Sequence, residues 1–276
     1  MLGIIFVTIS AFLSEIASST GKWAIKHHWE HPAVMGLLNN VWTTGYFLLI
    51  ALVTPNSIVI VPASIPFLIL LLVDYLIQTG ATLTAIGRAS RSTFSLLRTL
   101  TIPILACIDA LTRTDVAPEK FFAMACMFLI AVWLYRNHGI EKSGAWLSVF
   151  TAVNAAFGIA LTKYIFDMGT SVVAVHLIYG CITSVMLLVW SKQDRASISR
   201  KHWKFIAYQS AAFGLGSVFG GYALTFAPAS IVTAASRSLD VLFSIIFGHA
   251  IFKERHIKEK VIGAIGITVS LIILAI

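Results

Sequence analysis

Charge is scarce in this sequence. Asp, Glu, Lys and Arg make up 12% of its 276 residues, about half the quarter or so found in soluble domains. With 58% of residues hydrophobic, the chain carries more apolar surface than a single water-soluble core can hide, which excludes an ordinary soluble globular protein. Cysteine is rarer still: Cys107, Cys126 and Cys181 sit inside apolar runs without metal-type spacing and read as inert, buried thiols. No phosphate-binding loop is found, so direct ATP drive has no module in this sequence. Clustered acids, a His/Glu metal set or a nucleophile with a base are missing at any recognisable spacing, which argues against an enzyme. The first apolar run has no basic leader, holds Glu15 in its middle and has Lys22 near its end; it reads as a membrane span rather than a cleaved signal peptide.

What the sequence has in abundance is continuous apolar runs of about 20 residues, enough to cross roughly 30 Å of hydrocarbon as helix. Short alternating segments would be needed for a barrel, so the spans are helices. Ten of them are predicted, at 2–25, 34–53, 67–86, 92–111, 121–135, 144–166, 172–190, 205–226, 230–252 and 261–276. Pro103 lies inside the fourth and predicts a kink there. Trp23, Trp133, Trp146, Trp190 and Trp203 fall near span ends, as interfacial anchors do. The formal charge of +8 sits in short connectors between spans, a mark of membrane topology rather than of nucleic-acid binding. Those basic connectors follow odd-numbered spans, and the positive-inside rule then puts both termini outside the cytoplasm.

The chain also resembles itself. Residues 229–260 lie without a gap over residues 89–120 at a constant offset of 140, with Ala89/Ala229, Ser90/Ser230, Thr93/Thr233, Ala110/Ala250, Glu119/Glu259 and Lys120/Lys260 identical. The register of apolar runs and charged breaks matches as well, and a repeat near half the chain length marks a duplicated unit. The expected fold is therefore an all-α membrane protein of ten transmembrane helices, arranged as two five-helix repeats over 1–139 and 140–276. With five spans per copy, the second copy enters the membrane from the opposite side, so the repeats are inverted. Secondary transporters use that plan, with substrate held near the midplane between the halves.

The passage Ala-Pro-Ala-Ser-Ile-Val-Thr-Ala at 227–234, the run through Asp240 and Phe247, Phe-Lys-Glu-Arg at 252–255, and Gly263 and Gly266 resemble the closing segment of an EamA-type repeat of the drug/metabolite transporter superfamily. A fainter version runs through 89–120, so the resemblance spans essentially the whole chain. It implies a multi-pass protein of the cell (inner) membrane that carries a metabolite, without saying which. One departure is plain: the mid-helix proline frequent in that family is present as Pro103, whereas Phe243 stands at the matching place in the second copy.

Ionisable groups inside spans are costly and need a partner, water or a function. Arg237 and Asp240, three apart, share a helical face and can satisfy each other or contact substrate. Arg98, the near counterpart of Arg237, has no acid three or four positions away and needs a partner on another helix or an anionic solute. Asp74 and Gln78 share a face of the third span; Asp74 can neutralise Arg98, bind an amine or take up a proton. Glu15 is a proton or cation site, or a partner for a lysine. Lys22 and Lys163, near span ends, read as snorkelling anchors. Among neutral groups, Asn39, Asn40, Trp42, Tyr46, Asn154, His176, Tyr179, Tyr208 and Gln209 either line a cavity or bond helices together. Gly216 and Gly220 make a small face for helix packing.

These residues point to a secondary transporter of a small polar or charged metabolite, amino-acid-like or nucleotide-like, working by alternating access. Its partners would be that solute, the bilayer, and a coupled proton or exchanged solute, with no cofactor and no nucleic acid. An integral-membrane enzyme on lipid-linked substrates, a non-transporting subunit and a channel are the competing readings.

Overall fold

The computed structural model describes residues 2–112, 144–193, 201–226, 229–253 and 257–275, together with positions 122, 125, 126, 129, 130 and 133. Among them the only regular structure is helical: α1 (Leu2–Lys26), α2 (Pro32–Val53), α3 (Ile65–Arg88), α4 (Arg91–Arg98), α5 (Thr101–Thr112), α6 (Ala145–Asp167), α7 (Val172–Gln193), α8 (Trp203–Phe226), α9 (Ala229–Phe252) and α10 (Ile257–Ala275). These bounds follow the predicted spans closely. The expected fifth span falls mostly outside the described residues.

Local chemistry sets several boundaries. Pro32 opens α2 where no backbone donor is needed, and His31 Nδ1 accepts from Ala33 N. Ser90 caps α4 by accepting from Thr93 N at 3.3 Å. The fourth span is broken rather than merely bent, because Pro103 has no N–H for the carbonyl of Thr99. That carbonyl takes the N–H of Ile102 instead, and tighter bonds run from Thr99 N to Leu96 O and from Leu100 N to Leu97 O. Its counterpart α9, with Phe243 in place of proline, runs unbroken through 24 residues.

Which helix ends lie together follows from contacts. At one end the junction of α3 and α4 meets the start of α6, where a Cβ on Gly144 would come within 2.8 Å of Ala89 N. The same end holds Trp29 stacked on His202 and His31 edge-on to Trp190. At the other end the α2–α3 connector pairs with the α6–α7 turn: Ser171 N donates to Val59 O, Val59 N to Ser171 Oγ and Val61 N to Thr170 Oγ1. Phe6 of α1 meets Phe226 of α8 there. It follows that α1 and α6 run in opposite directions. Lys26, Arg88, Lys192, Lys201, Lys204 and Lys253 all lie at the first end, called here the basic end.

The burial pattern is that of a protein dissolved in lipid. Leu49, Leu52, Val53, Ile69, Val185 and Ile246 are exposed, while Glu15, Asn39, Thr43, Asp74 and Gln209 are buried. Five helices among the described residues are long and apolar enough to cross a membrane: Pro32–Val53, Pro62–Arg88, Ala145–Asp167, Val172–Lys192 and Val232–Ile251. Ten were expected. The described helices α1 and α8 also have crossing length, and each turns a row of small polar residues inward, Ser10, Ser14 and Ser18 on one and Ser210 and Ser217 on the other. Gly216 and Gly220 let the two approach, each with a hypothetical Cβ 2.8 Å from a hydroxyl, of Ser14 and Ser10 respectively. Cys107 and Cys181, expected to be buried, are exposed; an apolar thiol on a membrane helix gains nothing by facing inward.

Candidate functional site

A cavity of about 360 Å³ opens among α1, α2, α3, α4, α7, α8 and α9. Its walls come from both halves of the chain. On α2, α3 and α7 the lining residues run from the helix middle towards the basic end: Met35 to Thr43, Tyr75 to Ile86, and Tyr179 to Leu187. The opposite end carries the paired connectors and an aromatic layer in which Phe47 stacks on His176 at 4.2 Å and Tyr75 on Tyr179 at 4.2 Å.

Four charged side chains line the cavity, Glu15, Arg98, Arg237 and Asp240. Arg237 Nη1 donates to Asp240 Oδ2 at 2.9 Å, the pairing their spacing predicts. Its Nε is buried and has no hydrogen-bond partner among the described residues, so the guanidinium keeps a donor in hand. Glu15 is buried and accepts from Ser19 Oγ at 2.8 Å. Arg98 ends α4 at the helix break, with its guanidinium carbon 5.2 Å from the centre of the Phe94 ring. The break therefore delivers a cation to the cavity wall at the point where the backbone is least regular.

Asp74 is brought near this set without joining it. Its carboxylate forms no ion pair with Arg98, nor any hydrogen bond among the described residues; it points instead towards Gly158 on α6. The expected neutralisation of Arg98 fails because Asp74 lies on the flank of α3 that faces α6, while Tyr75, Thr79 and Thr82 face the cavity. Gln78 does line the cavity, held by Asn154, whose Nδ2 donates to Gln78 Oε1 at 3.1 Å and to the Asp74 carbonyl at 3.3 Å. Gln78 Nε2 in turn donates to Thr151 O at 3.2 Å.

Of the remaining candidates, Tyr179 lines the cavity and Asn154 acts behind it, whereas Trp42, Tyr46 and Tyr208 are not among its lining. Trp42 is exposed and packs beside Tyr46, and Tyr208 is 77% exposed. Tyr208, near the start of α8, has the position of an interfacial aromatic, whereas Trp42 faces outward from the middle of α2. His176 Nδ1 meets Val172 O at 2.9 Å and is a satisfied buried histidine. Lys22, read as an anchor, turns inward and donates to the carbonyl of Ala89, the residue that caps the C-terminus of α3. Lys163 pairs with Asp167 at 2.8 Å.

Hydroxyls escape a search for charges. Ser10, Ser14 and Ser18 recur every four residues along α1, and Thr79, Thr82 and Thr183 join them in the wall. The four-residue spacing of the serines was the available signal.

Residues 142–276 match the model of the EamA-like transporter family. No curated protein matches the chain. Among solved structures, 19 chains are similar. One, described only as a crystal structure of a protein, is 13% identical with a TM-score of 0.65, over 98% of this chain and 97% of that one. At that identity the likeness is one of fold.

Proposed function

We propose that this chain, whose residues 142–276 match the EamA-like transporter family, is a secondary transporter that moves a small polar or charged metabolite across a membrane by alternating access. The observation that carries the reading is the cavity itself: a chamber of about 360 Å³ walled by helices of both halves, largely apolar in its lining but holding the charged side chains Arg98, Arg237, Glu15 and Asp240. Intramembrane ionisable groups facing a cavity mark a solute or ion pathway. Two guanidinium groups suit a carboxylate or phosphate, and the acids suit an amino group or a proton. An amino-acid-like or nucleotide-like solute satisfies both.

Two inverted five-helix units, 1–139 and 140–276, are the frame we infer for this site. Support comes from the contact pattern, which is reciprocal: α1 packs on α8 and α3 on α6, as partners exchanged by a two-fold axis would, while α2 packs on α7 and α4 on α9 across that axis. The opposite directions of α1 and α6 agree with it. Lining that runs towards the basic end, read with the positive-inside rule, makes this an inward-facing shape with both termini outside.

The test is a thermal-shift screen over amino acids, nucleotides, sugar phosphates and amines, followed by liposome counterflow of any hit. Arg98→Ala is expected to abolish counterflow with the fold intact, and unchanged counterflow removes Arg98 from the site. Flux without saturation or counterflow would favour a channel instead.

A further inference from the structure

Asp74 is the one acid placed beside the cavity that the solute reading leaves without a task. It is 6% exposed, in the middle of α3. A Cβ built on Gly158 would lie 2.3 Å from Asp74 Oδ2. The carboxylate thus fills a notch in α6 that exists only because position 158 has no side chain. Among the described residues no donor or cation reaches it.

The surrounding helices explain why. On α6, Lys163 is committed to Asp167. On α7, Tyr179 is stacked on Tyr75 and His176 is held by Val172 O. From α2 the ionisable group is Tyr46, beside Trp42. Glu15 on α1 and Arg98 on α4 line the cavity, and Lys22 is bonded to Ala89 O. An ionised carboxylate so placed would be an uncompensated charge at bilayer depth. Yet a neutral side chain of the same shape would serve packing as well, so an acid there points to a group that binds and releases a proton. The bond network gives it a route of influence: Asn154 holds both the Asp74 carbonyl and Gln78, and Gln78 faces the solute space.

Resting on the transporter reading, we propose that Asp74 is the proton-coupling residue. In this conformation it holds one proton as a carboxylic acid in the α3–α6 seam. Separation of α3 from α6 admits water, the proton leaves to that water, and the carboxylate is reprotonated from the other side as the seam closes.

The proton is the probe in the first test, so no solute is needed. Infrared difference spectra of the protein in liposomes should show a protonated-carboxyl C=O band at pH 5 that shifts in deuterium oxide and is missing in Asp74→Asn. Gly158→Ala, which presses on the carboxylate from α6, should move that band without removing it. A pH jump on proteoliposomes adsorbed to a solid-supported membrane should displace charge, at least about tenfold less in Asp74→Asn. No band assignable to Asp74, or equal charge displacement in both proteins, overturns the proposal. If the band is absent while the unmodified protein performs counterflow, Asp74 alone loses its role. If the band is present and the unmodified protein performs counterflow for no solute, the transporter reading falls and the coupling role with it.

Discussion

Asn40 and Gly180 stand 140 positions apart and touch: Asn40 Nδ2 donates to the Gly180 carbonyl at 2.6 Å and to Ser184 Oγ at 2.8 Å. The separation is the offset that relates the two sequence repeats, so matched positions of α2 and α7 meet face to face. Across this seam a Cβ on Gly180 would lie 2.2 Å from Thr44 Oγ1. Asn40→Ala should lower stability by about 0.6–2 kcal/mol, the range of hydrogen bonds between membrane helices. Gly180→Ala should cost more, and Thr44→Ala in the same chain should restore part of the loss, since it removes the obstructing hydroxyl. Thermal unfolding in detergent measures all three.

The pairing of Arg237 with Asp240 makes a second prediction that does not depend on the solute. Both side chains are less than one-fifth exposed. Asp240→Ala leaves a guanidinium without its carboxylate and should destabilise by about 3 kcal/mol. Removing both charges, Arg237→Gln with Asp240→Asn, should recover most of that stability, because the pair itself contributes less than its breakage costs. If the double variant is no more stable than Asp240→Ala, the pair is not what holds α9 in place. Counterflow should be lost in the double variant if Arg237 faces the solute.

Pro103 breaks the fourth span and Phe243 leaves the ninth whole. Phe243→Pro should therefore destabilise α9 by about 3 kcal/mol, the cost of a proline inside a helix. Pro103→Ala should do the reverse locally, letting position 103 bond the Thr99 carbonyl, and should slow counterflow by drawing Arg98 back into a regular helix. Circular dichroism reads the added helix, and counterflow reads the rate. A Pro103→Ala protein as fast as the unmodified one would show that the break does not serve transport.

These residues also show how far sequence carries. The break at Pro103 and the unbroken α9 were legible because a missing backbone donor acts within one turn. The Arg237–Asp240 pair was legible for the same reason, being local to one helix. Asp74 and Arg98 were not, since whether two helices present their acids and bases to one another depends on how each is rotated about its axis. Nothing in the letters around Asp74 says that Gly158, 84 positions away, opens the space it occupies. Tyr208 fails in the same way: an aromatic with a hydroxyl suits a cavity and a lipid boundary equally, and only packing decides between them.

Glu30 supplies a pH dependence outside the spans. It sits in the connector between α1 and α2, 4% exposed, and neither carboxylate oxygen has a hydrogen-bond partner among the described residues. Burial pushes its pKa up from 4.5 to about 8. The folded protein then holds the proton more tightly than the unfolded chain does. Stability from the neutral acid is fully present below pH 4.5, declines as pH rises from 4.5 to 8, and is gone above that. At about 1.4 kcal/mol per pH unit the whole swing is at most about 5 kcal/mol. Glu30→Gln keeps the shape and removes the titration, so its thermal midpoint in detergent should fall less between pH 5 and pH 8 than that of the unmodified protein. Because every other ionisable group is shared by the two proteins, the difference between their profiles belongs to Glu30. Parallel profiles would mean that the carboxylate is solvated in the folded protein and that its connector is more open than the structure has it.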